Sequence, residues 1–298
     1  MDRSVFEELL DESRLADDEV ARRFEEAIEP GYWDSLRKPT GDARVTTVEV
    51  DAIGLELAQQ GWFMRERVLD PLPLRQAVNA VRAAGWPPVF AFVYEELWTF
   101  LRAPLFRALG RAFLGAEPAQ AAYFWAHVVP AAAEGRGWAP HADGDDPAAP
   151  PRLNLWIPLT DATLDNGCIY VVPRDRIPPD WVRRFNSRAA FDRDAVLTLL
   201  QSSRAVPAPA GSLLGWDFRT IHWGSVRHAS AGEPRMSIAV ELIAADSDEE
   251  TIALGEPPDF RRRIALIAGA MRVYGRWEPR LVRFAALRDR LADWAGVS

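Results

Sequence analysis

The chain is poor in three residue types on which many sites are built. Its 298 residues hold one cysteine, Cys168, so no intramolecular disulfide is available and a disulfide-stapled secreted framework is excluded. Lys38 is the sole lysine among 35 basic residues. The body of the chain therefore offers neither a Schiff-base amine nor a P-loop lysine. Histidine is limited to His127, His141, His222 and His228. No apolar run approaches the roughly 20 residues of a membrane span. The opening, MDRSVFEELLDES, is acidic where a secretory signal is basic. With 43 acidic residues against 35 basic ones, the net charge of −8 argues against phosphate neutralisation on nucleic acid and against attraction to anionic lipid. The expectation is a cytoplasmic protein without nucleic-acid or membrane partners.

Disorder is excluded by a globular composition, 48% apolar and 26% charged. The first thirty residues, Val5–Leu10 and Asp17–Ile28, have helical spacing with acidic first turns. After a turn-rich break, Pro73–Ala84 and a long stretch from Glu95 to Phe113 read as helices. The texture then changes. Ala121–Val129, Leu153–Leu159, Cys168–Val172, Ser212–Trp216 and Met236–Ile243 are short apolar or alternating runs separated by Gly, Pro and Asp, the pattern of an all-β unit. Trp181–Phe185 and Asp192–Gln201 interrupt it as a helical insertion, and Phe260–Tyr274 and Pro279–Trp294 are helical again. The expected fold is mainly β with flanking helices, a jelly roll or β-barrel. The expected organisation is one domain over 1–298: helical support over 1–115, a β core over 116–245 with an insertion at 178–203, and C-terminal helices over 246–298.

His141 and Asp143 are two residues apart, so on an extended strand both side chains face one way. His222 follows 79 residues later, in Thr-Ile-His-Trp-Gly-Ser. Two histidines and one carboxylate make the facial triad that holds Fe(II) and leaves coordination positions open. Taken alone, His-x-Asp is a weak signal, and a histidine capping the turn at Gly144-Asp145-Asp146 accounts for it equally well. Thirteen residues after His222, Arg235-Met236-Ser237 opens the last apolar strand. A guanidinium fork matches the two oxygens of a carboxylate, and Ser237 shares its strand face. An unpaired arginine leading into the apolar run Ile238-Ala239-Val240 is costly to bury.

The segment from Asn154-Leu155-Trp156 through Asn166-Gly167 to Val172-Pro173 resembles the strand, turn and hairpin of the phytanoyl-CoA dioxygenase family. Three further elements lie in the family's order: His141-x-Asp143, Gly211-Ser212-Leu213 before His222, and Arg235-x-Ser237. The resemblance covers roughly 121–244. It implies a double-stranded β-helix of the cupin type, and an oxygenase using Fe(II), 2-oxoglutarate and dioxygen on a small-molecule substrate. By position it implies His141, Asp143 and His222 as metal ligands, and Arg235 as the anchor of 2-oxoglutarate. Trp156 matches a tryptophan lining the cosubstrate pocket, and Ser237 is expected to assist Arg235. Where the family has Pro-Gly-Ser-His after the hairpin, this chain has Pro173-Arg174-Asp175-Arg176, so an acyl-CoA substrate is not implied. The expected reaction is hydroxylation of a small, partly apolar metabolite. A cupin-like metal-dependent hydrolase or isomerase, or a non-catalytic jelly-roll binding module, is the alternative.

The remaining candidates have plain readings beside functional ones. His127 shares a strand face with Tyr123 and Trp125, and is either a core histidine or a residue facing 2-oxoglutarate or substrate. His228 reads as a loop residue, Cys168 as packing, and Asp145 and Asp146 as turn acids. Trp138, Trp216 and Trp223 either wall a substrate pocket or close the barrel.

Overall fold

The computed structural model describes residues 17–37, 41–129, 137–178, 180–186, 193–228 and 230–296. The expected helix Val5–Leu10 lies outside them. The chain forms two compact units, one of residues 1–42, 76–99 and 256–298, the other of 43–75 and 100–255.

The first unit is helical. Its helices Asp17–Ile28 and Phe260–Tyr274 have the expected bounds, whereas the C-terminal run is a 3-10 segment, Pro279–Phe284, followed by an α-helix, Ala285–Ala295. Trp33 anchors an aromatic core here: its ring stacks on Phe90 at 5.6 Å and its indole N–H donates to the Ala27 carbonyl. Several of the twelve tryptophans are thus spent on packing.

Among the described residues the second unit carries nine strands. A six-stranded antiparallel sheet has the order β1-β6-β3-β8-β2-β9, and a three-stranded sheet the order β5-β4-β7. The strands are β1 (Trp62–Arg65), β2 (Pro118–Val128), β3 (Leu153–Pro158), β4 (Ile169–Val171), β5 (Arg204–Val206), β6 (Leu213–Asp217), β7 (His222–Gly224), β8 (Met236–Ala244) and β9 (Thr251–Ala253). Alternation explains the large sheet. Leu153, Leu155 and Ile157 of β3 lie on one face with Ile238, Val240 and Leu242 of β8, their register neighbours, all buried. Helix Pro104–Leu114 packs on this sheet, close enough that a Cβ on Gly110 would lie 2.4 Å from Pro118. The opposite face presents Asn154, Trp156, Leu214, Trp216, Ala239, Glu241, Trp125 and His127. Trp156, Leu214 and Trp216 meet Ile169, Val171 and Val206 of the small sheet in one buried cluster. Two antiparallel sheets with the core between them make the jelly roll expected from the sequence.

The stretch Glu95–Phe113 is not one helix: it breaks into Glu96–Thr99, a 3-10 turn Phe100–Arg102, and Pro104–Leu114. Pro104 cannot donate to a preceding turn and starts a new helix instead. No helix among the described residues is long and apolar enough to cross a membrane.

Candidate metal and cosubstrate site

His222 opens β7 and is 6% exposed. His141 does not sit in a strand, as the sequence suggested. It makes a single antiparallel bridge to His222, with reciprocal main-chain hydrogen bonds of 3.1 and 2.8 Å. Gly144 then turns the chain away, with its N–H on the Phe218 carbonyl. The bridge still brings the imidazoles together, with centroids 4.5 Å apart. Asp143 reaches both: its oxygens lie 3.6 Å from His141 Nε2 and 3.7 Å from His222 Nε2. One donor atom from each of the three residues falls within 4.8 Å of the others.

The nitrogens away from this cluster are engaged. His141 Nδ1 lies 2.8 Å from the Ala139 carbonyl and His222 Nδ1 lies 3.0 Å from that of Thr220. A protonated Nδ1 donating to each carbonyl leaves each Nε2 lone pair aimed at Asp143, the tautomer a metal requires. Burial pulls His222 down to about 4, against a smaller opposing pull from the Asp143 charge, so its imidazole is neutral at pH 7. Asp143 Oδ2 accepts from Asn154 Nδ2 at 2.9 Å and from Trp216 Nε1 at 3.2 Å. Asn154 and Trp216 are register partners on β3 and β6, so the carboxylate is oriented from the floor of the large sheet. Two imidazoles and one fixed carboxylate suit a divalent first-row metal such as Fe(II).

Arg235, which leads into β8, is 2% exposed. It donates through Nη1 to the Gly167 carbonyl, and its guanidinium carbon lies 5.5 Å from the Trp156 ring centroid. Its Nε is buried without a hydrogen-bond partner, and so is Oγ of Ser237 two residues on. No carboxylate among the described residues pairs with this cation, and burial pulls it down to about 10. Buried donors are satisfied in nearly all native structures. An anionic ligand with two carboxylate oxygens supplies what this pair lacks, and 2-oxoglutarate fits on that ground.

The hairpin before β4 places Gly167 against Arg235. Asn166 accepts from the Thr163 N–H at 2.7 Å and donates to the Asp161 carbonyl at 2.7 Å. Gly167 has φ +97, and a Cβ there would lie 2.5 Å from the Ser225 carbonyl, so the turn requires glycine.

The remaining candidates fall as follows. His127 faces the interior, opposite Ser237 in register, with its ring 5.5 Å from that of Trp138, which is 6.2 Å from that of His141. Trp216 serves Asp143, whereas Trp223 stacks on Tyr170. Cys168 is fully buried in the core cluster, where burial raises its thiol pKa, which suits packing and not nucleophilic attack. Asp146 accepts from the Ala148 N–H, as a turn acid does. The departure at Arg174 has a structural partner, an ion pair with the buried Asp217 of β6. The bond by which Asn154 orients Asp143 was not foreseen from the sequence. Asn154 lay inside the quoted motif, but its pairing with Trp216 was not readable without the register.

A sequence profile of the phytanoyl-CoA dioxygenase family matches residues 62–237. No protein of curated function matches the chain in sequence. Among solved structures, the chain is similar to SnoK, a non-heme alpha-ketoglutarate-dependent carbocyclase from nogalamycin biosynthesis. The TM-score is 0.54 at 18% identity, over 74% of this chain and 97% of that one. EctD from S. alaskensis in its apoform gives a TM-score of 0.51 at 15% identity, over 74% and 90%. The epimerase SnoN in complex with Fe3+, alpha-ketoglutarate and nogalamycin RO gives 0.50 at 18% identity, over 69% and 87%.

Proposed function

The chain belongs to the phytanoyl-CoA dioxygenase family, and from that premise we propose that His141, Asp143 and His222 hold its iron while Arg235 and Ser237 bind its 2-oxoglutarate. The protein is thus an iron- and 2-oxoglutarate-dependent oxygenase, and the hydrolase and binding-module alternatives give way to the family match. The observation that carries the site assignment is the convergence of the three donor atoms within 4.8 Å. The unpaired Nε of Arg235 and Oγ of Ser237 support the cosubstrate assignment.

When bound, the metal and 2-oxoglutarate supply an oxidant from dioxygen, with release of succinate and carbon dioxide. The chain's own residues bind and orient. Asn154 and Trp216 fix the Asp143 carboxylate, the Ala139 and Thr220 carbonyls fix the imidazoles, and Trp156 screens the Arg235 cation from water. Trp138, His127 and Trp125 form a series of rings on the inner side of the site, and this supports a small, partly apolar substrate. We assign hydroxylation, R–H to R–OH, as the reaction, with all of 1–298 serving this one activity and a cytoplasmic location. Relatives of this fold named as a carbocyclase and an epimerase mark the competing outcomes.

The test is a metabolite screen for succinate release, followed by product mass with the responding substrate under ¹⁸O₂. One labelled oxygen in the product supports hydroxylation. A loss of two hydrogens or an unchanged mass replaces it with ring closure or epimerisation. Because Asp143 occupies a ligand position, chloride-rich buffer is expected to give no halogenated product.

A further inference from the structure

Ala142 stands between His141 and Asp143, and it belongs to neither sheet. Its main-chain polar groups nevertheless have partners. The side-chain amide of Asn186 accepts from the Ala142 N–H at 3.1 Å and donates to the Ala142 carbonyl at 3.0 Å. Asn186 is the last residue of helix Trp181–Asn186, in the insertion between β4 and β5. One primary amide meeting one residue on both its N–H and its C=O reproduces the pairing of a neighbouring strand. The segment 141–143 is therefore held from two sides, by the main chain of His222 at His141 and by Asn186 at Ala142.

The helix is seated where it makes this contact. Trp181, Val182 and Ile177 pack with Leu199 of the second insertion helix against Ala142, Val172, Ile221 and Trp223. Ile221 and Trp223 flank His222, so the same apolar cluster adjoins both halves of the histidine pair. Ala142 is 5% exposed. Without Asn186 its N–H and C=O are left buried and unsatisfied, and the segment must shift to reach water.

We propose that Asn186 is a positioning residue for the iron: by clamping the main chain on both sides of Ala142 it sets the spacing of His141 and Asp143, although it touches neither ligand atom. This rests on the assignment of the triad as the metal site. The insertion thereby supplies part of the metal site's geometry rather than only closing one side of the barrel.

The experiment titrates metal-free protein with Co(II), following its visible ligand-field bands and tryptophan quenching, without turnover. Wild type is compared with Asn186→Ala and with Asn186→Leu, which keeps the side-chain volume. The expected result is a Co(II) Kd raised about ten- to a hundred-fold, the range for lost outer-shell support, with shifted bands at saturation. A purely structural role lowers the melting temperature but leaves the Kd and bands in place, and that result overturns the proposal. Hydrogen exchange on wild type keeps the question open to refutation if both variants misfold: the Ala142 amide is expected to exchange slowly, and loop-like exchange overturns the clamp. If wild type binds no Co(II), the triad assignment falls and this role with it. If wild type binds and the variants bind equally, only the role of Asn186 falls.

Discussion

The guanidinium of Arg235 lies over the ring of Trp156, 5.5 Å from its centroid. The indole covers one face of the cation with apolar carbon and favours the charge through its π-electrons. It provides no anion. With its Nε unpaired and the charge disfavoured by burial, Arg235 has no carboxylate partner among the described residues, and the proposed 2-oxoglutarate would bring one.

Arg235→Lys keeps the charge and loses the fork, so the KM for 2-oxoglutarate is expected to rise roughly 10- to 100-fold, in line with about 1.5–3 kcal/mol for a hydrogen bond to a charged group. Ser237→Ala removes one neutral donor and is expected to cost a few-fold. Initial rates of succinate release over a 2-oxoglutarate series read both. The same ligand is expected to raise the melting temperature of wild type and to leave that of Arg235→Met unchanged. An equal thermal shift in the two proteins excludes Arg235 as the anchor.

Gly224 closes the space beside this cation. A Cβ built there would lie 3.1 Å from Arg235 Nη1, tighter than ordinary van der Waals contact. Because Nη1 is already bound to the Gly167 carbonyl, the guanidinium has little freedom to yield. Gly224→Ala is expected to raise the KM for 2-oxoglutarate several-fold while Co(II) affinity stays at the wild-type value. A loss of metal affinity instead assigns the glycine to the histidine strand.

These two residues illustrate what the sequence made legible. Arg235-x-Ser237 was readable because an arginine leading into an apolar strand demands a partner, and strand alternation puts Ser237 on the same face. The grouping of His141, Asp143 and His222 was readable because histidine is scarce and their order resembles the family's ligand set, His-x-Asp alone being a weak signal. The strands of the large sheet follow from alternation, as in β3 and β8. Gly224 and Asn186 left no local signal, since each matters through a contact outside its own element, with Arg235 for the glycine and with Ala142 for the asparagine. The same holds for β1 and β7, four and three residues long, which are too short for a period to register. Helix Val50–Gln60 was missed because it buries Ile53 and Leu57 but leaves Leu55 64% exposed and carries Gly54 inside, which blurs the apolar stripe.

The helical unit carries its own pH-dependent element. Tyr94 is buried, donates to the Trp33 carbonyl at 2.8 Å, and is pushed up to about 12 by burial, against the opposing charge of Arg37. The unfolded chain ionises this phenol near 10. The neutral form is therefore favoured in the fold: its contribution is complete below pH 10 and is lost as pH rises towards 12. Between these limits the melting temperature of wild type is expected to fall more steeply than that of Tyr94→Phe. Parallel slopes in scanning calorimetry exclude Tyr94 as the source.

Two donors share one oxygen of Asp143. Asn154 Nδ2 and Trp216 Nε1 both reach Oδ2, while Oδ1 lies towards His141 Nε2. Removing one donor leaves the other in place, so Asn154→Ala and Trp216→Phe are each expected to weaken metal binding modestly, by about ten-fold. The double variant frees the carboxylate to rotate, and its loss is expected to exceed the product of the two single effects, because each donor backs up the other. Asn154→Asp has a different consequence: it sets a second carboxylate beside Asp143, whose mutual repulsion favours a shared proton or a bound cation. Metal affinity in that variant is expected to depend on pH more steeply than in wild type. Calorimetric titration of Co(II) into the metal-free proteins at several pH values measures all four. Strict additivity of the two single variants separates Asn154 and Trp216 into independent supports and removes the premise that they act on one oxygen.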